Sequence, residues 1–67
     1  MNPEKEASMM SIRKWADIIG TQTFTALCYE WQGITDKAVE LRQSNIKIES
    51  LITTMLDIHH VRFPENK

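Results

Sequence analysis

The sequence has few of the residues that cross-link or interrupt a small fold. Its 67 residues include one cysteine, two prolines and two glycines. With Cys28 alone, no disulfide can form within the chain, and no cysteine–histidine spacing fits a structural zinc site. A chain this short buries a modest share of its surface. Regular helix packing or association with another chain therefore has to supply its stability.

Long apolar runs are absent as well. None approaches the roughly 18 to 20 residues that a membrane span needs. The polar start, Met1 to Glu6, has no apolar stretch of signal-peptide length. With one free cysteine, these features predict a cytoplasmic protein that does not bind membranes. The net charge of −1 argues against a general polyanion binder but leaves room for a local basic patch.

Apolar residues do recur, at three- and four-residue spacing along the whole chain, which is typical of helices. Two rows have this spacing, and each is called a seam below. The first comprises Met9, Ile12, Ala16, Ile19, Thr23 and Ala26. The second comprises Ala38, Leu41, Asn45, Ile48, Ile52, Met55 and His59. They predict one helix over about residues 7–32, a turn at 32–35 and a second helix over about 35–62.

The turn between the two helices carries its own markers. Gly33 is a helix stop, and Thr35 or Asp36 is a candidate N-cap. Folding the chain about position 34 brings the seams together as an antiparallel hairpin, with Met9 facing His59. Thr23 and Asn45 fall in one layer, where we expect them to hydrogen-bond and fix the register. The prediction is a single all-α domain over residues 1–67.

Six further apolar residues flank the seams and would stay partly in water in a lone hairpin. They are Trp15, Leu27, Trp31, Leu51, Leu56 and Ile58. A second hairpin would cover them. We therefore expect these residues to form an association interface, either in a homodimer that makes a four-helix bundle or in a heterocomplex with another protein.

Nothing in the sequence indicates an enzyme. No base is placed beside Cys28 to make it a nucleophile. His59 and His60 are adjacent, so on a helix they point about 100° apart and cannot bind one metal ion together. The carboxylates show no paired geometry and fit solvated helix faces. We expect no catalytic residue, cofactor, metal or small-molecule substrate.

A stripe on the first helix, placed by the spacing opposite the seam, is a candidate binding surface for RNA or a protein partner. It comprises Lys14, Ile18, Gln22, Thr25 and Tyr29. A lysine, an amide and an aromatic ring on one rigid face can contact phosphates and stack on bases. Equally, Ile18 and Tyr29 fit a protein–protein contact, with Lys14 and Gln22 simply solvated.

The run from Ala16 to Leu27 resembles helix one of the Rop family. The similarity rests on Ala16, Ile19, Gln22, Thr23, Thr25 and Leu27. Rop proteins are RNA-binding modulators of plasmid copy number, built as homodimers of helical hairpins. The resemblance implies binding of paired RNA loops across the two first helices. By position Gln22 keeps the family's RNA-contacting glutamine, whereas Ile18 replaces its aromatic residue, Lys14 an asparagine and Tyr29 a lysine.

The same region also resembles the helix-turn-helix of small repressors. Ala16 and Gly20 have the matching spacing, with Gly20 at the turn. Three classes of function therefore stay open: a protein-interaction module such as an adaptor, small chaperone or inhibitor; an RNA-binding hairpin dimer; and a DNA-binding regulator. The sequence favours a non-enzymatic regulatory hairpin dimer that binds a protein or RNA, with DNA as the less favoured target.

Overall fold

A computed structural model describes residues 2–64 and shows an antiparallel hairpin of two long helices. Helix α1 spans Pro3–Trp31 and α2 spans Thr35–Arg62. The hairpin measures 49 × 18 × 18 Å. The predicted all-α hairpin is confirmed. In the described residues 2–64, neither α1 nor α2 contains an apolar stretch of the length that a membrane span needs.

Helix α1 begins earlier than the sequence predicted. The side-chain oxygen of Asn2 accepts hydrogen bonds from the backbone N–H groups of Glu4 and Lys5, at 3.0 and 3.3 Å. Pro3 takes the first helical position, where its fixed φ fits and its missing N–H removes nothing. The predicted start near residue 7 was wrong because Pro3 starts the helix instead of preceding it.

The turn is a Schellman motif centred on Gly33, whose φ of 79° is left-handed. The Gly33 N–H donates to the carbonyl of Glu30 at 3.0 Å, and the Ile34 N–H donates to the carbonyl of Tyr29 at 2.9 Å. The predicted helix stop at Gly33 is confirmed. The predicted N-cap was wrong, because Ile34 occupies that position and makes no side-chain cap hydrogen bond.

The core is a thin layer between the two helices. The buried residues all belong to the predicted seams: Ile12, Ala26, Ala38, Asn45, Ile48 and His59. No large side chain in the described chain is completely enclosed. Burial is limited because each helix packs against one other helix, which covers only one side of it.

Two members of the first seam do not lie in the core. Met9 and Ala16 are exposed, and Ser8 faces His59 in place of Met9, with Ser8 Oγ 2.9 Å from His59 Nδ1. A straight helix has 3.6 residues per turn and drifts by about 20° per heptad from a strict 3.5-residue repeat. This drift turns the first seam away from α2 at residues 9 and 16.

Candidate interaction surfaces

Helix α1 is continuous through Gly20, so the turn that the helix-turn-helix interpretation placed at this residue is not present. Gly20 does not have a positive φ. A Cβ atom at this position would meet nothing within 4 Å. Glycine in a helix interior costs about 1 kcal/mol relative to alanine. The hairpin therefore gains nothing from having glycine at residue 20.

The predicted binding stripe lies beside the core, not opposite it. Lys14 and Ile18 are exposed, but Gln22, Thr25 and Tyr29 are half-buried. The buried side of α1 is rotated by roughly 35° from the centre of the predicted seam, at about 100° per residue. Because the buried side is rotated toward the stripe, the stripe lies next to the core. The prediction that the stripe lies opposite the buried side of α1 was wrong.

The stripe and the adjoining side of α2 form one surface, called the lysine face below. Near the turn it contains a groove lined by Thr25, Tyr29, Lys37, Glu40 and Leu41. Lys47 continues this side of α2, seven residues beyond Glu40. Lys14 and Lys47 thus border the middle of the lysine face, giving it a local positive charge on a chain whose net charge is −1.

Two buried polar atoms lie where the stripe meets the core, one on a stripe residue and one on a core residue. Gln22 Oε1 and Asn45 Oδ1 accept no hydrogen bond from residues 2–64. The Asn45 side-chain nitrogen donates to Thr23 Oγ1 at 3.1 Å, so the predicted hydrogen bond in this layer is present. The hydroxyl of Thr25 is also occupied, because it donates to the carbonyl of Thr21 at 3.0 Å. Of the stripe, Lys14 and Ile18 are the residues most open to a partner.

The six predicted association residues do not form one surface. Leu27 and Trp31 lie on α1, roughly 120° or more around its axis from Trp15. Leu56 is half-buried, whereas Leu51 and Ile58 are exposed on α2. The predicted single interface is therefore divided between different sides of the hairpin.

The most exposed apolar surface is a row on α1 that points away from α2, called the outer ridge below. Its members and exposed fractions are Met10 61%, Phe24 68%, Leu27 52% and Trp31 93%. Leu27 and Trp31 also line a shallow groove with Cys28 and Gln32. Sequence reasoning missed Met10 and Phe24 because it followed one seam per helix. Met10, Phe24 and Trp31 fall on one seven-residue repeat, interrupted by the charged Asp17, and indicate a second row.

Charged and titratable groups add little chemistry to these surfaces. Arg42 donates two hydrogen bonds to the Glu30 carboxylate, at 2.9 and 2.8 Å, and lowers the pKa of Glu30. The same hydrogen bonds raise the pKa of Arg42. A second ion pair, Arg62 with Glu4 at 3.3 Å, joins the other end of the hairpin. Within residues 2–64, no three His, Cys, Asp or Glu side chains cluster as metal ligands.

Comparison with known proteins finds no match for this chain. No protein-family model matches the chain, and no curated protein or solved structure matches it.

Proposed function

We propose that this chain is a non-enzymatic regulatory module that works as a dimer of helical hairpins. The observation that carries the proposal is the outer ridge, above all Trp31, which is 93% exposed. A fully buried aromatic side chain removes about 150–250 Å² from water. At roughly 25 cal/mol per Å², covering Trp31 alone would stabilise an assembly by several kcal/mol before the entropy of association is subtracted.

The ridge has the composition of a protein-binding surface. Tryptophan is strongly enriched among the residues that dominate binding energy, and phenylalanine and methionine are enriched at interfaces generally. The hairpin encloses no large side chain completely within residues 2–64, so it also gains core by associating. A second hairpin meets both needs and makes a four-helix assembly.

The pair of Ser8 and His59 fits a structural role better than a catalytic one. Ser8 Oγ lies 2.9 Å from Nδ1 of His59, which is buried between the helices and packs against Phe63 with ring centroids 5.1 Å apart. Acyl transfer also needs free N–H groups for the developing oxyanion. Ser8 lies inside α1, where backbone N–H groups are used in the helix. We therefore assign no catalytic residue.

The lysine face supports RNA as the target of such a dimer, in keeping with the Rop resemblance. Lys14 and Lys47 supply positive charge that would favour phosphates, and Ile18 and Tyr29 offer apolar area beside them. A protein target is the alternative occupant of the same face. A cytoplasmic location remains part of this proposal.

The dimer is tested by solution mass, using light scattering behind a sizing column over a concentration series. We expect the wild type to approach twice 7.8 kDa. The double variant Leu27→Gln/Trp31→Gln should stay monomeric while keeping its helical circular dichroism. Val61→Gln is the matched control, since Val61 is also exposed but lies on α2. A helical wild-type monomer at every concentration would refute the dimer and assign the missing core to another protein.

A further inference from the structure

Gly20 lies in the middle of the outer ridge. The positions 10, 13, 17, 20, 24, 27 and 31 step alternately by three and four residues, so they share one side of α1. Met10 and Trp31 are each about 15 Å from Gly20 along the axis, at 1.5 Å per residue. Gly20 therefore divides the ridge into two arms of nearly equal length.

The hairpin itself gives no reason for glycine at this point. The backbone is helical without a positive φ, and the space where a Cβ atom would stand is open. Glycine weakens a helix, but it allows another backbone to approach closely. The open space faces the same direction as the exposed apolar side chains, which points to a second helix crossing there.

We propose that two copies of this chain pack α1 against α1 in antiparallel orientation, with their two Gly20 residues at the crossing point. This inference rests on the proposed dimer and specifies its interface. A two-fold axis through Gly20 places Met10 against Trp31 of the second copy, where a thioether and an indole pack favourably. The same axis places Arg13 beside Leu27 and Cys28 of the second copy. Its guanidinium is then close to the aromatic rings of Phe24 and Trp31 of the second copy.

Charge favours the antiparallel arrangement over the parallel one. With α1 parallel to α1 in the same register, Arg13 would lie beside Arg13 of the second copy and Asp17 beside its own equivalent. Like charges at such short distance are unfavourable. The antiparallel arrangement separates both pairs, and it also sets the two helix dipoles in opposite directions.

The ridge has about the minimum area that a specific contact needs. From the exposed fractions of Met10, Phe24, Leu27 and Trp31, each copy contributes roughly 500 Å² of apolar surface. Two copies together reach about 1,000 Å², the size at which specific interfaces begin. The isologous contact closes on itself, so it gives a dimer and not a filament.

The crossing point is tested by enlarging residue 20. Gly20→Leu should keep the helical circular dichroism and raise the dimer dissociation constant by about tenfold or more, because the added side chain separates the helices. Ser50→Leu, which adds a leucine on the exposed side of α2, should leave the dissociation constant unchanged. A Gly20→Leu dimer as tight as the wild type would overturn the crossing at Gly20 while leaving the dimer itself intact.

The orientation is tested by disulfide cross-linking under a mild oxidant. The antiparallel arrangement brings position 13 beside Cys28 of the second copy, so Arg13→Cys should give a covalent dimer. The wild type should cross-link poorly, and so should the Ser50→Cys control. Position 13 and Cys28 of one chain lie about 22 Å apart along α1, too far for an internal disulfide. A rapid Cys28–Cys28 cross-link in the wild type would instead establish a parallel contact and overturn the proposal.

Discussion

Asn45 donates a hydrogen bond to the hydroxyl oxygen of Thr23 across the two helices, at 3.1 Å, while its own carbonyl oxygen is buried without a partner in the described chain. Asn45 is 7% exposed. The layer is therefore polar, enclosed and only partly satisfied. A buried polar pair of this kind disfavours a slipped register, because slipping would leave both groups unpaired, and it does so at a cost in stability.

Replacing Asn45 with an apolar residue should make the hairpin more stable and its helix register less strictly defined. Asn45→Leu removes a buried oxygen without a partner and leaves Thr23 able to donate to a carbonyl of its own helix. We expect a gain of about 1 kcal/mol, or about 4–8 °C in Tm for a domain of this size. Thermal unfolding followed by circular dichroism measures it. Asn45→Asp, which buries a charge, should lower Tm; a large loss in Asn45→Leu would contradict the assignment.

Gly33 should be the most sensitive position of the turn. Its φ of 79° is left-handed, so any Cβ atom there is strained. Gly33→Ala should lower the free energy of unfolding by about 1–2 kcal/mol. Gly33→Asn should lower it by less, since asparagine tolerates this conformation. Urea denaturation of the three proteins gives the order, and equal stability of Gly33→Ala and wild type would mean that the turn can change shape.

The pair of Ser8 and His59 should hold the open end of the hairpin together. Ser8→Ala removes the hydrogen-bond partner of a buried ring nitrogen, which typically costs about 1–3 kcal/mol. Ser11→Ala, on an exposed position of the same helix, serves as the control. Urea denaturation should show a loss in the first variant alone. Equal stabilities would mean that His59 is held by packing and not by the serine.

The ion pair of Glu30 and Arg42 should make a small contribution that depends on pH. Arg42 lowers the pKa of Glu30, so the carboxylate is favoured in the folded state. The stabilisation is thus present above the ordinary pKa of a glutamate and is lost as the pH falls through the lowered pKa of Glu30. In Arg42→Gln, an NMR titration should find the Glu30 pKa raised toward its ordinary value. An unchanged Glu30 pKa would show that the pair does not persist in solution.

The RNA binding proposed for the lysine face can be tested by removing a positive charge without changing the fold. Lys14→Ala removes an exposed charge, so it should abolish a gel shift with paired RNA loops and leave helicity intact. Gln22→Ala should also weaken binding if the resemblance to Rop extends to function. Lys5→Ala, near the start of α1, is the matched loss of charge outside this face. RNA binding that survives in both Lys14→Ala and Gln22→Ala would remove the site from the lysine face.

The two helices and the stop at Gly33 could be predicted because spacing and glycine chemistry act locally. The position of the buried side could not be fixed to within about 35°, because a sequence of three- and four-residue steps fits both a straight and a supercoiled helix. As a result, Ser8 and not the predicted Met9 lies beside His59, and Gln22 lies closer to the core than predicted. The start of α2 at residue 35 was predicted, but its N-cap was not. The turn motif places Ile34 at the N-cap despite the better capping side chain of Thr35.

The antiparallel pairing also sets the order in which the hairpin can close. Side chains that meet near the turn, such as Glu30 and Arg42, are 12 residues apart in sequence, whereas Thr23 and Asn45 are 22 apart and Ser8 and His59 are 51 apart. The entropy lost on closing a loop grows with its length. We therefore expect contacts between the helices to form first near Gly33 and last near Ser8 and His59. Opening of the native state should begin at the end that contains Ser8 and His59. Amide hydrogen exchange near Ser8 and His59 should accordingly be faster than exchange around Ala26 and Ala38.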